Sequence, residues 1–232
     1  MNKKNLHSNN FFKEHEYKDL KIPPGRFYGP CSGQDLNCAF RLFAETIKHF
    51  VFCDLSYRGR SVSAKNAVPN DWSLISRDFS FAQKSEKKTW YSGNRAFRPS
   101  VITELWKRPD GLDVIVELRR DLAEEVLVEQ FEIGSIAAFM HINDGTSEGG
   151  SDLWFMASPL QQQNDNYRSQ FLLPKVAQRL VKGAVVVTDG VMAHPGFKSY
   201  TPFVSENVKW KPLGKIENNN VLDRQPSLWR MC

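Results

Sequence analysis

Residues suited to chemistry gather in three short stretches of the chain. The first is GPCSGQD, Gly29–Asp35, a turn of small residues in which Gly29, Cys31, Ser32, Gly33 and Asp35 are candidate ligand-binding positions. Backbone N–H groups reach a phosphate or a sugar only where side chains are small, and glycine removes the obstacle altogether. The second is Asp54, placed directly after the apolar run Phe50–Cys53. A carboxylate at a strand tip accepts from two vicinal hydroxyls, such as those of a ribose. The third is HINDGTSEGGSD, His141–Asp152, with Asp144, Glu148 and Asp152 four residues apart in a glycine-rich segment. Its carboxylates suit acid–base work, and His141 suits a general base. His194, in MAHPGF beyond Asp189, joins them as a partner for His141 or Asp144. The spacing fits no calcium-binding loop, so no metal site is assigned, although Asp144, Glu148 and Asp189 would be the ligands of a metal-assisted phosphoryl or nucleotide enzyme.

Elements that would position these residues follow from hydrophobic spacing. Arg26–Pro30 is expected as a strand, and Asp35–His49 as a helix with Leu36, Ala39, Phe40, Phe43 and Ile47 on one face. Asp35 stands where an N-cap or first-turn acid belongs. Phe50–Cys53 is apolar throughout, the pattern of a strand buried on both faces. Val101–Lys107 and Leu112–Leu118 alternate around Arg108-Pro109-Asp110-Gly111, which predicts a β-hairpin. Leu122–Phe131 is read as a helix, with strand as the alternative. Ser135–His141 and Ala184–Thr188 are buried-strand runs. Phe171–Leu180 is a helix candidate, closed by Gly183 as a left-handed cap. Val208–Pro212 and Leu213–Ile216 are expected as edge strands.

These elements predict a single α/β domain over 1–232: a doubly wound, mostly parallel sheet with an antiparallel hairpin insertion and C-terminal edge strands. Residues 1–25 form a lead-in, and about 58–132 form the insertion. Composition agrees with a globular chain, at 41% hydrophobic and 25% charged. A net charge of +5 permits a nucleic-acid or phosphate partner without requiring one, because a binding footprint needs clustered charge. The four cysteines lack metal-site or disulfide spacing, which fits a reducing compartment. The polar N-terminus has no signal-peptide core, and no apolar run spans a bilayer; a cytoplasmic protein with no membrane partner is expected.

Taken together, Phe27–Asp54 and Ile133–Asp189 resemble class I S-adenosylmethionine-dependent methyltransferases. In that family the first strand leads into a glycine-rich cofactor loop, and the second ends in an acid that binds ribose hydroxyls. LLPKVAQRLVKGAVVVTD looks like the family's fifth helix–turn–strand. The resemblance implies that Gly29 and Gly33 belong to the cofactor loop, that Asp54 is the ribose acid, and that the cofactor is S-adenosylmethionine. Here the three-glycine pattern is reduced, with Pro30 and Cys31 between the two glycines. Two functions follow as expectations. One is a methyltransferase-like protein that binds S-adenosylmethionine or a related adenosine nucleotide at the carboxyl ends of the strands. The other is a catalytically inactive module of the same fold, gripping a nucleotide, a nucleic acid or a partner protein.

Overall fold

The computed structural model describes residues 20–33, 36–81, 98–121, 123–141, 172–188, 209–215 and 227–232. In chain order its elements are β1 (Arg26–Pro30), α1 (Asn37–Phe43), β2 (His49–Cys53), β3 (Ser73–Phe81), β4 (Ser100–Lys107), β5 (Asp113–Arg120), α2 (Ala123–Gln130), β6 (Ile136–His141), α3 (Leu172–Ala177), β7 (Leu180–Thr188), β8 (Trp210–Lys215) and β9 (Ser227–Met231). The strands form one nine-stranded sheet in the order β3-β4-β5-β2-β1-β6-β7-β9-β8.

The centre of the sheet is parallel. β1 pairs with β2 and β6, β2 with β5, and β6 with β7, all in the same direction. Counting only these strands in chain order, the arrangement reads 3-2-1-4-5, the order of a doubly wound α/β sheet. β9 runs antiparallel to both β7 and β8, so β8 resumes the direction of the core strands beyond one reversed neighbour.

Both faces are covered, which is why the central strands are apolar at nearly every position. On one face Phe27, Phe50 and Phe52 pack with Ala39, Phe40 and Phe43 of α1 and with Tyr57, Ala64, Val68 and Trp72 of the segment after β2. On the other face Tyr28, Val51 and Phe139 meet Val126 and Leu127 of α2 and Val176 and Ala177 of α3. Arg179 joins these two helices: its Nε donates to the carbonyls of Leu127 and Phe131 at 3.1 and 3.2 Å, and its Nη1 to Lys175 O at 2.9 Å. Carbonyls at helix ends otherwise lack partners, so one guanidinium satisfies both termini.

Several elements differ from the sequence expectation. α1 is confined to Asn37–Phe43; its N-cap is Leu36, with no side-chain cap, and Asp35 lies outside the described residues. The hairpin forms, with β4 and β5 paired from Ser100↔Arg120 to Lys107↔Asp113. Its second arm is also a core strand, since β5 pairs in parallel with β2 from His49↔Ile115 to Cys53↔Arg119. The hairpin is therefore built into the sheet, and β3 extends it to the edge through antiparallel pairing with β4. Gly183 does not cap a helix. It lies inside β7 with φ +86, at the irregularity where pairing jumps from Ile136↔Leu180 to Ala138↔Val185. The two edge strands expected near the C-terminus are one, β8, which continues through Pro212 at the sheet margin where a missing N–H is tolerated.

No helix among the described residues is long and apolar enough to cross a membrane.

Candidate functional site

In a doubly wound sheet, ligands bind outside the carboxyl ends of the strands where the strand order reverses. Here that point lies between β1 and β6, with the tip of β2 beside it.

β1 ends in a sharply bent turn. Cys31 has φ +49 and Gly33 φ +55, so two left-handed residues flank Ser32. For cysteine this conformation costs about 1–2 kcal/mol, and the bonds around it hold the turn in place. Gly33 N donates to Asp54 Oδ2 at 2.7 Å, and Ser32 N to the Cys53 carbonyl at 3.4 Å. Ser32 Oγ lies 2.7 Å from Tyr57 Oη. The other Asp54 oxygen, Oδ1, accepts from Ser56 N at 2.7 Å. Asp54 N donates to Arg119 O at 3.0 Å, fixing the tip of β2 to that of β5. Asp54 is thus the knot joining the β1 turn, the β2 turn and the end of β5. Its carboxylate is half-buried, and each oxygen keeps a second lone pair beyond its backbone donor.

The two glycines of the turn serve different ends. A Cβ at Gly29 would stand 2.8 Å from the Phe27 ring and 3.2 Å from Phe52, so the space left by its missing side chain is used by the core. A Cβ at Gly33 would meet nothing within 4 Å, and this position opens to the outside of the sheet.

Burial decides the chemistry of the surrounding groups. Cys53 is buried; desolvation, helped by the charge of Asp121, raises its thiol well above the ordinary cysteine value. Its Sγ donates to Asp121 O at 3.0 Å. Cys53 is a packed thiol and no nucleophile. Burial likewise raises the Tyr57 phenol, against the hydrogen bond from Ser32, so Tyr57 stays protonated. Cys31 is half-buried in the turn between β1 and α1.

His141 is fully buried at the end of β6, paired in register with Thr188 of β7. Phe139 belongs to the α2–α3 face, and strand alternation puts His141 there too; Asp54 follows Phe50 and Phe52 onto the α1 face. The sheet therefore separates these two groups. Asp144, Glu148, Asp152, Asp189 and His194 lie outside the described residues, and among the described residues no cluster of metal-ligating side chains occurs.

Three contributors at this rim were not among the residues singled out from the sequence. Tyr57 buttresses the β1 turn. Arg119 and Arg120 sit at the tip of β5 beside the Cys53–Asp54 step; Arg119 is 5% exposed, and its Nη1 donates to Glu117 at 3.3 Å. The signal available for them was their place at the end of an alternating strand.

Comparison with protein-family models and with curated proteins finds no match for this chain.

Proposed function

We propose that the chain binds an adenosine-containing ligand, S-adenosylmethionine or a related nucleotide, across the tips of β1 and β2, and acts as a methyltransferase-like protein. One observation carries this reading. The Asp54 carboxylate is held at the tip of β2, beside the strand-order reversal, by two 2.7 Å backbone bonds, next to the open left-handed Gly33. A preoriented acid beside exposed small-residue backbone suits a ribose diol. The chain fits such a ligand at Asp54 and Gly33, whereas Gly29 serves packing. One feature favours the methyltransferase resemblance over a dinucleotide enzyme: β9 runs reversed between the fifth and sixth core-direction strands. Bound there, S-adenosylmethionine would supply an activated methyl group. The work of the chain is then to hold donor and acceptor in line, which requires no acid–base pair.

A second reading has its own support: both Asp54 oxygens are already engaged by backbone donors, so the turn is complete without a ligand. It makes the chain a binding module without catalysis.

Calorimetric titration with S-adenosylmethionine, its demethylated product and a panel of nucleotides tests the site. Binding of an adenosine compound is expected, weakened roughly 10–100-fold in Asp54→Asn through loss of charge-assisted hydrogen bonds. Thermal melts check that the variant is folded. No binding of any adenosine compound refutes the proposal. Binding of the demethylated product with no methyl transfer to any acceptor favours the module.

A further inference from the structure

We infer that the sheet rim running outward from Asp54 across β5 and β4 to β3 takes a single-stranded nucleic acid. The inference rests on the reading above for the reaction, in which the strand would be the acceptor presented to the Asp54 site.

Pairing register sets a row. Phe81 lies opposite Ser100, and Ser100 opposite Arg120. Arg119 lies opposite Cys53, which brings Arg120 level with Asp54. The four side chains also share a face. Phe52, Ile102 and Leu118 belong to the α1-side core and Phe79 packs against it; Asp54, Ser100, Arg120 and Phe81 are each two residues away along their strands. A row of residues thus leads from the proposed nucleotide site to the sheet edge, with Ser100 buried between the half-buried Arg120 and the exposed Phe81.

The outer end of that line is aromatic and basic. Phe81 is 53% exposed, at the end of β3, an edge strand exposed at nearly every position. Its ring meets Phe79 edge-on with centroids 5.1 Å apart. The Arg98 guanidinium lies 3.9 Å from the centre of the Phe81 ring, and that of Arg60 lies 5.1 Å from Phe79. Aromatic faces paired with guanidinium planes are what unpaired bases stack on, while the same arginines neutralise phosphates. Arg58, Arg60 and Arg98 are exposed, and Arg120 is half-buried. Among the described residues of β2 to β5, the acids on this face are Glu104, buried against Arg77, and Asp54 at the inner end, with Asp78 on the opposite face; the segment after β2 adds the exposed Asp71. Four arginines, Arg58, Arg60, Arg98 and Arg120, thus line this part of the rim, and clustering of that kind is what a phosphate footprint needs. A duplex conceals its base faces, so the chemistry selects a single strand.

Fluorescence anisotropy with the full chain and a short labelled oligonucleotide, in RNA and DNA forms and as the corresponding duplex, tests this. Single strands are expected to bind better than the duplex. Phe81→Ala is expected to weaken binding about tenfold, with an unchanged melting midpoint because the ring is half exposed. Arg98→Ala and Arg60→Ala should each reduce the slope of log affinity against log salt by about 0.7. Ile133→Ala, at a site 86% exposed and away from the rim, should change nothing. No binding, a preference for duplex, or affinity indifferent to Phe81→Ala and Arg98→Ala overturns the inference. If adenosine compounds bind while oligonucleotides do not, only the rim inference falls. If oligonucleotides bind as expected and adenosine compounds do not, the adenosine-site reading falls and the rim surface stands.

Discussion

Replacing Glu104 tests the packing beneath this rim. Its carboxylate is fully buried and faces three donors: Arg77 Nε at 3.1 Å on Oε1, and Trp106 Nε1 at 3.1 Å and Ala64 N at 3.2 Å on Oε2. Arg77 continues to the carbonyls of Arg60 and Val62, so one acid fastens the segment after β2 onto β3 and β4. Glu104→Ala leaves Trp106 and Ala64, 3% and 0% exposed, with unmet donors. Each costs roughly 1–3 kcal/mol. The Arg77 side chain is 29% exposed and recovers hydration, so it adds little. The expected loss is about 3–5 kcal/mol, in the range for breaking a buried ion pair. Glu104→Gln sharpens the test because the volume is unchanged. Its amide carries one acceptor oxygen, so its NH2 must face a donor on one side or the other, and about 2–3 kcal/mol should be lost. Urea unfolding should show a lower midpoint with the same slope, and the melting midpoint should fall by roughly 4–12 °C. A Glu104→Gln protein within about 0.5 kcal/mol of wild type would refute the arrangement of donors described here.

The two turn glycines should separate stability from binding. Gly29→Ala forces a methyl against Phe27 and Phe52 and should lower stability by about 1–3 kcal/mol, measured by urea unfolding; an unchanged midpoint contradicts the packing. Gly33→Ala meets only backbone strain of about 1–2 kcal/mol, and its effect should appear in calorimetry with adenosine compounds, where a methyl would crowd the ligand. Glu117 supplies a pH signature. Burial works to raise its carboxyl, but the hydrogen bond and charge of His49, 2.6 Å away, together with Arg119 outweigh it, and the folded value is lowered. A lowered carboxylate stabilises the fold above its unfolded value of about 4.3, and that contribution is lost as pH falls through the folded value. The stability gap between wild type and Glu117→Gln should therefore close on acidification from that point; a gap constant with pH contradicts the pairing. Native-state alkylation should reach Cys31 and Cys232 while sparing Cys38 and Cys53, read by mass spectrometry of digested protein.

What could be read from the sequence divides along a physical line. β1 and β2 were legible because burial on both faces makes a strand apolar at nearly every position, a purely local property. The hairpin was legible from its Pro-Asp-Gly turn and alternating arms. That its second arm also pairs with β2 was not, because β5 exposes alternate residues as an outer strand does, and its parallel partner lies far back in the chain. β9 escaped notice for the same reason. SLWRM is short and ordinary, and it becomes a strand only through the company of β7 and β8. Asp54 was legible as a candidate because an acid at the end of an apolar run must emerge at a sheet edge. Gly29 shows the limit. A glycine admits close approach from any side, and its type is the same whether a ligand or a ring moves in. Only the positions of Phe27 and Phe52, decided by the packing of α1 on the sheet, show that the core fills that space. Residue type thus announces a capability, and direction assigns it. Direction depends on contacts between strands distant in sequence, so the side of Asp54 that faces outward, toward Gly33 and the arginine rim, is where tests of function have the most to resolve.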